Sequence, residues 1–383
     1  MAKGKPLDTE DFLSEQLGEG NRSWMNRSID LLSYGEPLVG FYPIEAVHQL
    51  GNRARKKNPR SFTNNRTGKV DTNAEPDHLS AKANEMVPLK TPWMATWGGD
   101  TSNVVLAASK LGLSCAYLSR VGEDPFGEGF FSLWESSGIQ TRLVQKDPHH
   151  PTGLYFVSFR EGKHILTYYR KDSAATHIDP NQFDPAVLNS VRVLHLSGIS
   201  LAISPRAREF GVFLMQEARK RGTLVSFDTN FRPALWGKEE ARQVLEQIIP
   251  AYVHVLATTD EEMELLGWGQ RPEAMAQLLR GPAYYLVKQG SKGAYVRSSQ
   301  EELFFPSFQV PVVDTVGAGD AFDAGFLRAL LHSDPLRDAA RYASAVAALV
   351  CTGQGPLEKQ PTHREVEAFL RKQSQSSFIR RAK

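Results

Sequence analysis

The stretch Asp314-Thr-Val-Gly-Ala-Gly-Asp320, which continues as Ala321-Phe-Asp-Ala-Gly325, decides how the rest of the chain is interpreted. Two glycines flank one alanine just before a helical pattern, so backbone N–H groups are free to face an anion at the helix N-terminus. The aspartate that ends this turn is a poor phosphate ligand because like charges repel, but it can accept a proton. A glycine turn before a capped helix is the structural alternative. Acids at both ends of so glycine-rich a turn favour the proton-accepting role for Asp320.

Length and composition indicate a globular protein with a full core. The 383 residues, 41% hydrophobic and 23% charged, can hold one large α/β domain with additions or two ordinary domains. A formal charge of +2 gives no argument for binding nucleic acid or a membrane surface. The two cysteines, Cys115 and Cys351, lie in apolar stretches, which favours free thiols over a disulfide. No apolar run reaches the length of a membrane span, and the N-terminal region has no apolar signal core, so we expect a cytoplasmic protein.

Three polar segments lack a core pattern: two flank the predicted domain at 29–373, and the third is an insertion within it. Residues 1–28 are weakly patterned and predict an N-terminal extension, either a tail or a loosely docked helix. Residues 44–91 lack the apolar periodicity of a core element, and 53–69 carry seven basic residues and no acid. We expect this insertion to be a solvated loop, with binding of an anionic partner as the alternative. Residues 374–383 are interpreted as a C-terminal tail.

Apolar runs alternate with helical patterns after the insertion, which is typical of a mostly parallel sheet with helices on both faces. Thr101 or Ser102 is expected to cap the first of these helices. Two alternating segments, Gly153–Phe159 and His164–Arg170, predict a hairpin that forms a flap together with the stretch after Gly35. The predicted central strands are Ile29–Tyr34, Cys115–Val121, Val193–Leu196, Leu224–Phe227, Val253–Leu256 and Tyr284–Val287.

Three motifs give the chain a specific resemblance. Asp314–Asp320 matches the carboxy-terminal signature D-T-x-G-A-G-D of the PfkB (ribokinase-type) sugar kinases, Gly98–Asn103 matches the amino-terminal signature, and Val121–Gly127 follows in the family's order. The resemblance covers about Asp30 to Gln373, without the basic insertion. It implies a ribokinase-like α/β fold with a small β-strand lid, which is also a candidate homodimer contact. It further implies ATP-dependent transfer of a phosphoryl group to a sugar hydroxyl, with Mg²⁺.

The resemblance also assigns roles to individual residues. Asp320 is the expected catalytic base, and the amides of Gly317, Ala318 and Gly319 are the expected anion hole for the transferring phosphoryl group. The expected sugar-binding residues of the amino-terminal signature are Gly98, Gly99 and Asn103. The expected nucleotide-binding residues are Asn230, Lys288, Gly290, Ser291, Lys292 and Gly293, although an ordinary hairpin turn gives the 288–293 pattern too.

Glu262 is the expected magnesium residue, acting through water. It lies where the family carries N-x-x-E, but Thr259 replaces the usual Asn. A solvated acidic helix start is the alternative interpretation.

Four further segments resemble 2-keto-3-deoxygluconate (KDG) kinases, which act on a sugar acid. They are Gly35–Pro37, Thr152–Tyr155, Tyr168–Ala175 and Phe227–Trp236. Arg170 and Arg232 can bind a carboxylate bidentately, and Tyr155 and Tyr168 can supply hydroxyls and a flat wall. The alternatives are lid or core packing for the tyrosines, and surface ion pairs or an ATP phosphate contact for the arginines. The loop around Gly353–Gly355 lacks an acid that many KDG kinases carry.

The predicted function is therefore phosphorylation of a primary hydroxyl of a small sugar acid, with KDG as the first candidate. The nearest alternative is a kinase for a neutral sugar such as fructose. A third interpretation is a catalytically silent scaffold that contacts a partner or nucleic acid through its basic insertion. The intact turn at Asp320 argues against a silent protein.

Overall fold

Parallel strands with alternating apolar side chains build the centre of the molecule. The structure, a computed structural model, describes residues 22–43, 92–160 and 163–381. Its strands are β1 (Ile29–Tyr34), β2 (Leu38–Pro43), β3 (Trp93–Gly98), β4 (Cys115–Gly122), β5 (Gln140–Asp147), β6 (Gly153–Arg160), β7 (Lys163–Tyr169), β8 (Val191–Ser197), β9 (Leu224–Asp228), β10 (Val255–Thr259), β11 (Tyr284–Lys288), β12 (Gly293–Arg297) and β13 (Glu302–Pro306).

Helices connect most of these strands. They are α1 (Arg22–Met25), α2 (Asp100–Lys110), α3 (Pro125–Ser136), α4 (Gly198–Ala202), α5 (Pro205–Lys220), α6 (Lys238–Tyr252), α7 (Asp260–Leu266), α8 (Pro272–Leu278), α9 (Ala318–Leu331), α10 (Leu336–Val350) and α11 (His363–Arg381). Short 3₁₀ turns occupy Ala174–His177, Pro180–Gln182, Pro185–Ser190 and Gly290–Lys292.

The central sheet has nine strands in the order β13-β12-β11-β10-β9-β8-β1-β4-β5. Neighbours from β11 to β5 pair in parallel, and β12 and β13 complete one edge in antiparallel pairing. Successive side chains of each strand point to opposite faces, which divides the core into two layers. Leu31 packs in the layer that contains α2, α9 and α10, whereas Leu32 packs in the layer that contains α5 and α6. The predicted mostly parallel sheet between helices is confirmed.

A second sheet of four strands, in the order β3-β2-β6-β7, forms the predicted lid. Strand β2 pairs antiparallel with β3 and parallel with β6, which puts Gly40 beside Tyr155. A Cβ at Gly40 would lie 2.3 Å from Cζ of the Tyr155 ring, so only glycine lets that ring lie across β2. The hairpin predicted from the alternating pattern is present as β6 and β7.

The N-terminus of α2 corrects one sequence prediction. Its N-cap is Gly99, at φ 103°, and not Thr101 or Ser102. Both hydroxyl side chains are buried and have other partners: the Thr101 and Tyr117 hydroxyls lie 3.0 Å apart, and Trp134 Nε1 donates to Ser102 Oγ at 3.0 Å. The hydroxyls that a local capping rule assigns to the helix end thus form hydrogen bonds with residues of other elements.

The segments outside the predicted domain fall partly within the described residues. Trp24 at the end of the extension is buried beneath the Arg192 guanidinium, which lies 4.3 Å from its ring. Arg27 donates to the carbonyls of Val191 and Arg221, both at 2.6 Å. Helix α11 passes through the boundary placed at 373. The predicted insertion at 44–91 and its solvated loop lie outside the described residues.

The cysteines and the helices bear on two expectations about the whole chain. Cys115 and Cys351 are both free thiols, as predicted. Among the helices that the structure describes, none combines the length and the apolar character needed to cross a membrane.

Candidate active site

The carboxyl ends of the central strands meet the N-termini of α2 and α9 at one edge of the sheet. Strand β1 lies between β8 and β4, so the chain runs outward from it in both directions. Ligands of open α/β sheets bind outside the carboxyl ends of the strands at such a reversal point. The loop after β1 begins with Gly35, where a Cβ would lie 2.3 Å from Thr101 Oγ1 of α2. The sheet and α2 are therefore in close contact where the candidate site lies.

The turn before α9 has the conformation that its glycines predict. Gly317 is the N-cap at φ 79°, and a Cβ there would lie 2.5 Å from Pro356 Cβ. Asp314 fixes this turn, because its Oδ1 accepts from the Val316 amide at 3.1 Å and its Oδ2 from the Gly355 amide at 2.9 Å. Asp314, at the start of the signature, thus has a structural role. Asp320, at its end, is the residue predicted to accept a proton.

Asp320 lies in the first turn of α9, half-buried, and is held by α2. Asn103 Nδ2 donates to Asp320 Oδ2 at 2.8 Å. Burial raises the pKa of Asp320 to about 7, and the nearby Asp100 carboxylate adds to this, although the Asn103 hydrogen bond and the Lys288 ammonium oppose it. A carboxylate with a pKa near neutrality is suited to accept a proton.

Two of the three predicted anion-hole amides differ from the third. The Ala318 amide donates to the Thr315 carbonyl at 3.2 Å, so it already has an acceptor within the turn. The first amides of a helix otherwise have no acceptor within the helix. The amides of Gly317 and Gly319 can therefore face an anion. The Lys288 ammonium approaches this turn, since its Nζ lies 3.4 Å from the position of a Cβ on Gly319.

Lys288 forms a buried ion cluster behind the turn. Its Nζ donates to Asp228 Oδ2 at 2.8 Å and to Asp323 Oδ2 at 3.0 Å. Burial lowers the pKa of Lys288, but the two carboxyl groups outweigh it and raise that pKa above its usual value. Burial raises the pKa of Asp323, whereas Lys288 holds the pKa of Asp228 low against the effect of burial. Lys288, which the sequence predicts to bind the nucleotide, thus connects β11 to β9 and α9 through its ion pairs.

Glu262 lies in the first turn of α7 and has partners on both carboxylate oxygens. Thr259 caps this helix in a capping box with Glu262, which explains why Thr can replace Asn at this position. Thr229 Oγ1 donates to Glu262 Oε2 at 2.6 Å, and Arg232 Nη1 lies 3.6 Å from Glu262 Oε1. Burial raises the pKa of Glu262, and the charge of Asp228 raises it further. The acidic helix start is thus present: Glu261 is exposed and Asp260 partly exposed, as the alternative interpretation expects, whereas Glu262 itself is buried.

Asn230 connects the end of β9 to the amino-terminal signature. Its Nδ2 donates to Asp100 Oδ2 at 3.0 Å, and its backbone has φ 33°, which is uncommon outside glycine. Asp100 Oδ1 is buried without a partner among the described residues. The predicted nucleotide loop Gly290–Gly293 is a separate turn at the surface, where Lys292 lies 3.6 Å from Asp260 with 72% of its side chain exposed.

The sugar-side predictions cluster where the lid joins the central sheet. Arg170 forms an ion pair with Glu36, and Ser173 Oγ donates to Glu36 Oε1 at 2.7 Å. Burial raises the pKa of Glu36 and Arg170 opposes this. The Arg170 guanidinium lies 5.5 Å from the ring of Tyr168, and the Tyr155 and Tyr168 rings are 5.9 Å apart.

The structure brings some of the predicted sugar-binding residues together and gives the two arginines different partners. A Cβ on Gly98 would lie 3.8 Å from Asn103 Oδ1 and 3.9 Å from the Tyr155 hydroxyl, so the amino-terminal signature links Asp320 to the lid tyrosines. Arg170 has Glu36 as its partner and Arg232 has Glu262, so the two arginines do not share one counter-ion.

Sequence reasoning missed four acids at this edge of the sheet. Glu36, Asp100, Asp228 and Asp323 are all buried or partly buried beside predicted residues. A signal was available for two of them, because Asp228 ends a short apolar strand and Glu36 lies two residues after another.

Comparisons with known proteins place the chain among sugar kinases. The profile of the "pfkB family carbohydrate kinase" matches residues 71–363. A 2-dehydro-3-deoxygluconokinase of Thermoproteus tenax is 34% identical over 279 residues, which are 71% of this chain and 85% of that protein. A probable fructokinase-4 of Arabidopsis thaliana is 31% identical over 72% of this chain and 87% of its own.

Solved structures show the same fold. The PfkB protein from Polaromonas sp. JS666 matches with a TM-score of 0.70 and 25% identity, over 89% of this chain and 99% of its own. A putative ribokinase II from E. coli, in complex with ATP and Mg²⁺, matches with a TM-score of 0.72 and 23% identity, over 90% of this chain and 99% of its own. The expected ribokinase-like fold is confirmed.

Proposed function

The chain belongs to the pfkB family of carbohydrate kinases, and from that premise we propose that it transfers the γ-phosphoryl group of ATP to a primary hydroxyl of a small sugar acid, with KDG as the substrate. One observation carries the proposal. Asp320 lies at the N-terminus of α9 with Asn103 as its hydrogen-bond donor and a pKa of about 7, so an acceptor for a hydroxyl proton adjoins a site for the phosphoryl group.

Each residue of the turn has a separate task in this reaction. Asp320 accepts the proton of the attacking hydroxyl, which makes the oxygen a better nucleophile. The amides at the start of α9 stabilise the negative charge on the transferring group, and the α9 dipole adds to this. Lys288 keeps α9 in place against β9 through its two carboxyl partners. Phosphoryl transfer needs mainly alignment and charge stabilisation, which these fixed groups supply.

The donor groups at the strand ends suit a magnesium ion. Mg²⁺ prefers oxygen ligands and keeps several waters, and the buried Asp100 Oδ1 and Asp323 Oδ1 have no partner among the described residues. We propose that Glu262 holds the ion through water, as the family resemblance implies, with Asp228 adding negative charge nearby. When bound, the ion neutralises charge on the phosphates of ATP.

A sugar acid is favoured by the arginines. Arg170 Nε is buried and has no partner among the described residues, so a ligand oxygen at that nitrogen would satisfy a costly unpaired donor. Arg232 is half exposed, and its 3.6 Å distance from Glu262 is longer than a hydrogen bond. Its guanidinium is therefore available to a carboxylate or to ATP phosphate. The relative from Thermoproteus tenax is named for a sugar-acid substrate.

A neutral-sugar kinase is the second candidate. The Glu36 carboxyl already pairs with Arg170, and a second carboxylate beside it would be repelled. Glu36 can instead accept hydrogen bonds from sugar hydroxyls, as a fructose kinase requires. The relative from Arabidopsis thaliana is named as a probable fructokinase.

One substrate panel tests these proposals. ADP release is measured with KDG, gluconate, fructose and ribose at equal concentrations, with Mg²⁺ and with EDTA. The proposal expects the highest kcat/KM for KDG and no activity in EDTA. A higher kcat/KM for fructose establishes the second candidate. No ADP release with any sugar would favour the silent scaffold.

We also propose that two copies associate through the lid, in a reducing cytoplasm. Four large apolar side chains on the lid strands are 40–64% exposed, namely Met94, Leu166, Tyr168 and Tyr169. Contiguous exposed apolar surface marks an interaction site. Light scattering of the wild type against Leu166→Lys tests the dimer, and a monomeric wild type would refute it.

A further inference from the structure

Two histidines and an aspartate converge at the base of the lid, outside the candidate active site. One ligand atom from each of His150, Asp172 and His177 lies within 4.8 Å of the others. His177 Nε2 lies 2.6 Å from Asp172 Oδ1, and the two imidazole rings stack with centroids 3.6 Å apart. Two imidazole nitrogens and a carboxylate oxygen are a donor set that zinc and related ions take in proteins.

A buried carboxylate holds one of these histidines from behind. Asp147 Oδ2 lies 3.0 Å from His150 Nδ1, and Asp147 is itself fixed by Arg120 Nε at 2.8 Å. The amides of His149 and His150 donate to the other oxygen of Asp147 at 2.8 and 3.1 Å. A carboxylate at Nδ1 keeps the proton on that nitrogen and leaves the Nε2 lone pair free for a metal ion. The fold thus prepares His150 as a ligand.

The cluster lies on the two connections that carry the lid hairpin. His150 comes just before β6, which begins at Gly153, and Asp172 and His177 follow β7, which ends at Tyr169. An ion bound by all three side chains would join the entry of the hairpin to its exit. The connection after β7 also carries Arg170, two residues before Asp172.

The surroundings leave room for an ion and for its water. A cavity of about 740 Å³ opens beside the two histidines, lined also by Arg120, Asp179 and Arg206. The side chains of His150 and His177 are 30% and 33% exposed. Stacked rings direct their lone pairs in parallel, so one ring must leave the stack and turn its edge toward the ion, and partial exposure permits this rotation.

We propose that His150, His177 and Asp172 form a binding site for a divalent transition-metal ion, with Zn²⁺ as its probe. The ion bridges the two connections of the lid, and water completes its coordination. Asp147 is a positioning residue for His150. The competing interpretation is a metal-independent surface pair, in which Asp172 only accepts a hydrogen bond from His177.

Calorimetric titration with Zn²⁺ tests the site. The full chain is titrated without sugar or nucleotide, so the result does not depend on the proposed kinase activity. We expect His150→Ala and His177→Ala each to weaken one Zn²⁺ equivalent by at least about tenfold, and Asp147→Asn to weaken it by about 10–100-fold. His149→Ala, an exposed neighbour outside the cluster, is the matched control and should bind like the wild type. Unchanged binding in the first two variants, or equal loss in the control, would overturn the assignment.

Amide hydrogen exchange tests the bridge. Zn²⁺ should slow exchange in both connections, 147–153 and 170–178, in the wild type. In His177→Ala the second connection should lose this protection, because the ion no longer reaches it. Zn²⁺ binding that protects only one connection in the wild type would refute the bridge.

Discussion

At the scale of single residues, Asp320 is the group whose removal tests the chemistry most directly. We expect Asp320→Asn to lower kcat by about 10²–10⁴ while ATP still binds, because the amide cannot accept the hydroxyl proton. Asn103 still has an oxygen to donate to in this variant, so the fold should be retained. Steady-state kinetics and nucleotide binding measure the two effects. A loss below about tenfold in folded protein would remove Asp320 from the role of base.

The pH dependence of the reaction follows from the same side chain. A base works only when it is deprotonated, so kcat/KM should rise with pH up to about 7 and be level above it. The sign for stability is opposite. The pKa of Asp320 is raised from 3.8 in the folded state, where the protonated form is favoured. The contribution of this proton to the free energy of unfolding is therefore complete below pH 3.8 and is lost as the pH rises through about 7.

The Asn variant serves as the control for both effects. The free energy of unfolding of Asp320→Asn minus that of the wild type should be larger at pH 8 than at pH 5, because only the wild type gains a buried charge as the pH rises. A wild-type profile of kcat/KM that is flat between pH 5 and pH 8 would contradict the assignment.

The two arginines separate a sugar acid from a neutral sugar. If the substrate carboxylate binds them, Arg170→Ala and Arg232→Ala should each weaken KDG binding by about 1.5–3 kcal/mol, the range of a charge-assisted hydrogen bond. KM for KDG and for ATP are measured side by side, because an effect of Arg232→Ala on ATP alone would assign that arginine to phosphate.

Arg170→Ala needs a companion variant. It leaves the Glu36 carboxyl buried without its cation, which is strongly destabilising by itself. The double variant Glu36→Gln/Arg170→Ala removes that charge. If the double variant binds KDG as well as Glu36→Gln does, Arg170 makes no contact with the substrate.

At the scale of elements, the turn before α9 decides where the helix points. Gly317→Ala should be destabilising by about 1–2 kcal/mol for its left-handed backbone alone, and the contact with Pro356 adds to this. The displaced turn should also lower kcat. Thermal unfolding and kcat measure the two consequences.

Gly112 provides the matched control for this prediction. It has φ 94° at the end of α2, and a Cβ there meets no atom within 4 Å. Gly112→Ala should therefore show the backbone cost alone, with unchanged kcat. Equal stability losses in both variants with full activity would show that the Pro356 contact does not position the catalytic turn.

The elements also show how local patterns and tertiary contacts share the work. Strand β1 was predicted with the bounds that it has, because its apolar run ends in a Gly-Glu-Pro turn. The capping prediction for α2 was wrong, because Thr101 and Ser102 are buried against Tyr117 and Trp134. A capping rule uses only neighbours in sequence, and these partners come from β4 and α3.

At the scale of the whole molecule, Lys288 connects three elements. Lys288→Met leaves Asp228 and Asp323 buried without a cation, so we expect a loss of about 3–5 kcal/mol in the free energy of unfolding. It should also raise the pKa of Asp320, because the ammonium lowers it in the wild type. The rise of kcat/KM with pH should then move to higher pH. Chemical denaturation and the pH profile measure these changes.

Lys292→Met is the control for Lys288. It removes a lysine four residues further along the chain, with 72% of its side chain exposed and a carboxylate 3.6 Å away. We expect no measurable change in stability. If Lys288→Met behaves like Lys292→Met, the buried cluster does not hold α9 against the sheet.

The sequence by itself determined the fold class, the lid hairpin and the turn that carries Asp320. These features are written in local patterns: apolar runs of strand length, alternation over a hairpin, and glycines where a backbone must be left-handed. Tertiary structure decided the partners of the functional residues. Asn103 and Asp320 are 217 positions apart, Arg170 and Glu36 are 134 apart, and Lys288 lies 60 positions from Asp228.

Local sequence patterns do not predict the ion-pair partners of the charged residues. In the sequence Lys288 matches a nucleotide loop, and Arg170 is predicted to bind a substrate carboxylate or to form a surface ion pair. Each is paired with acids from distant parts of the chain, because a buried charge is stable only beside a counter-charge. Which acid meets which base depends on the order of strands in the sheet, and that order is set by packing of the whole chain.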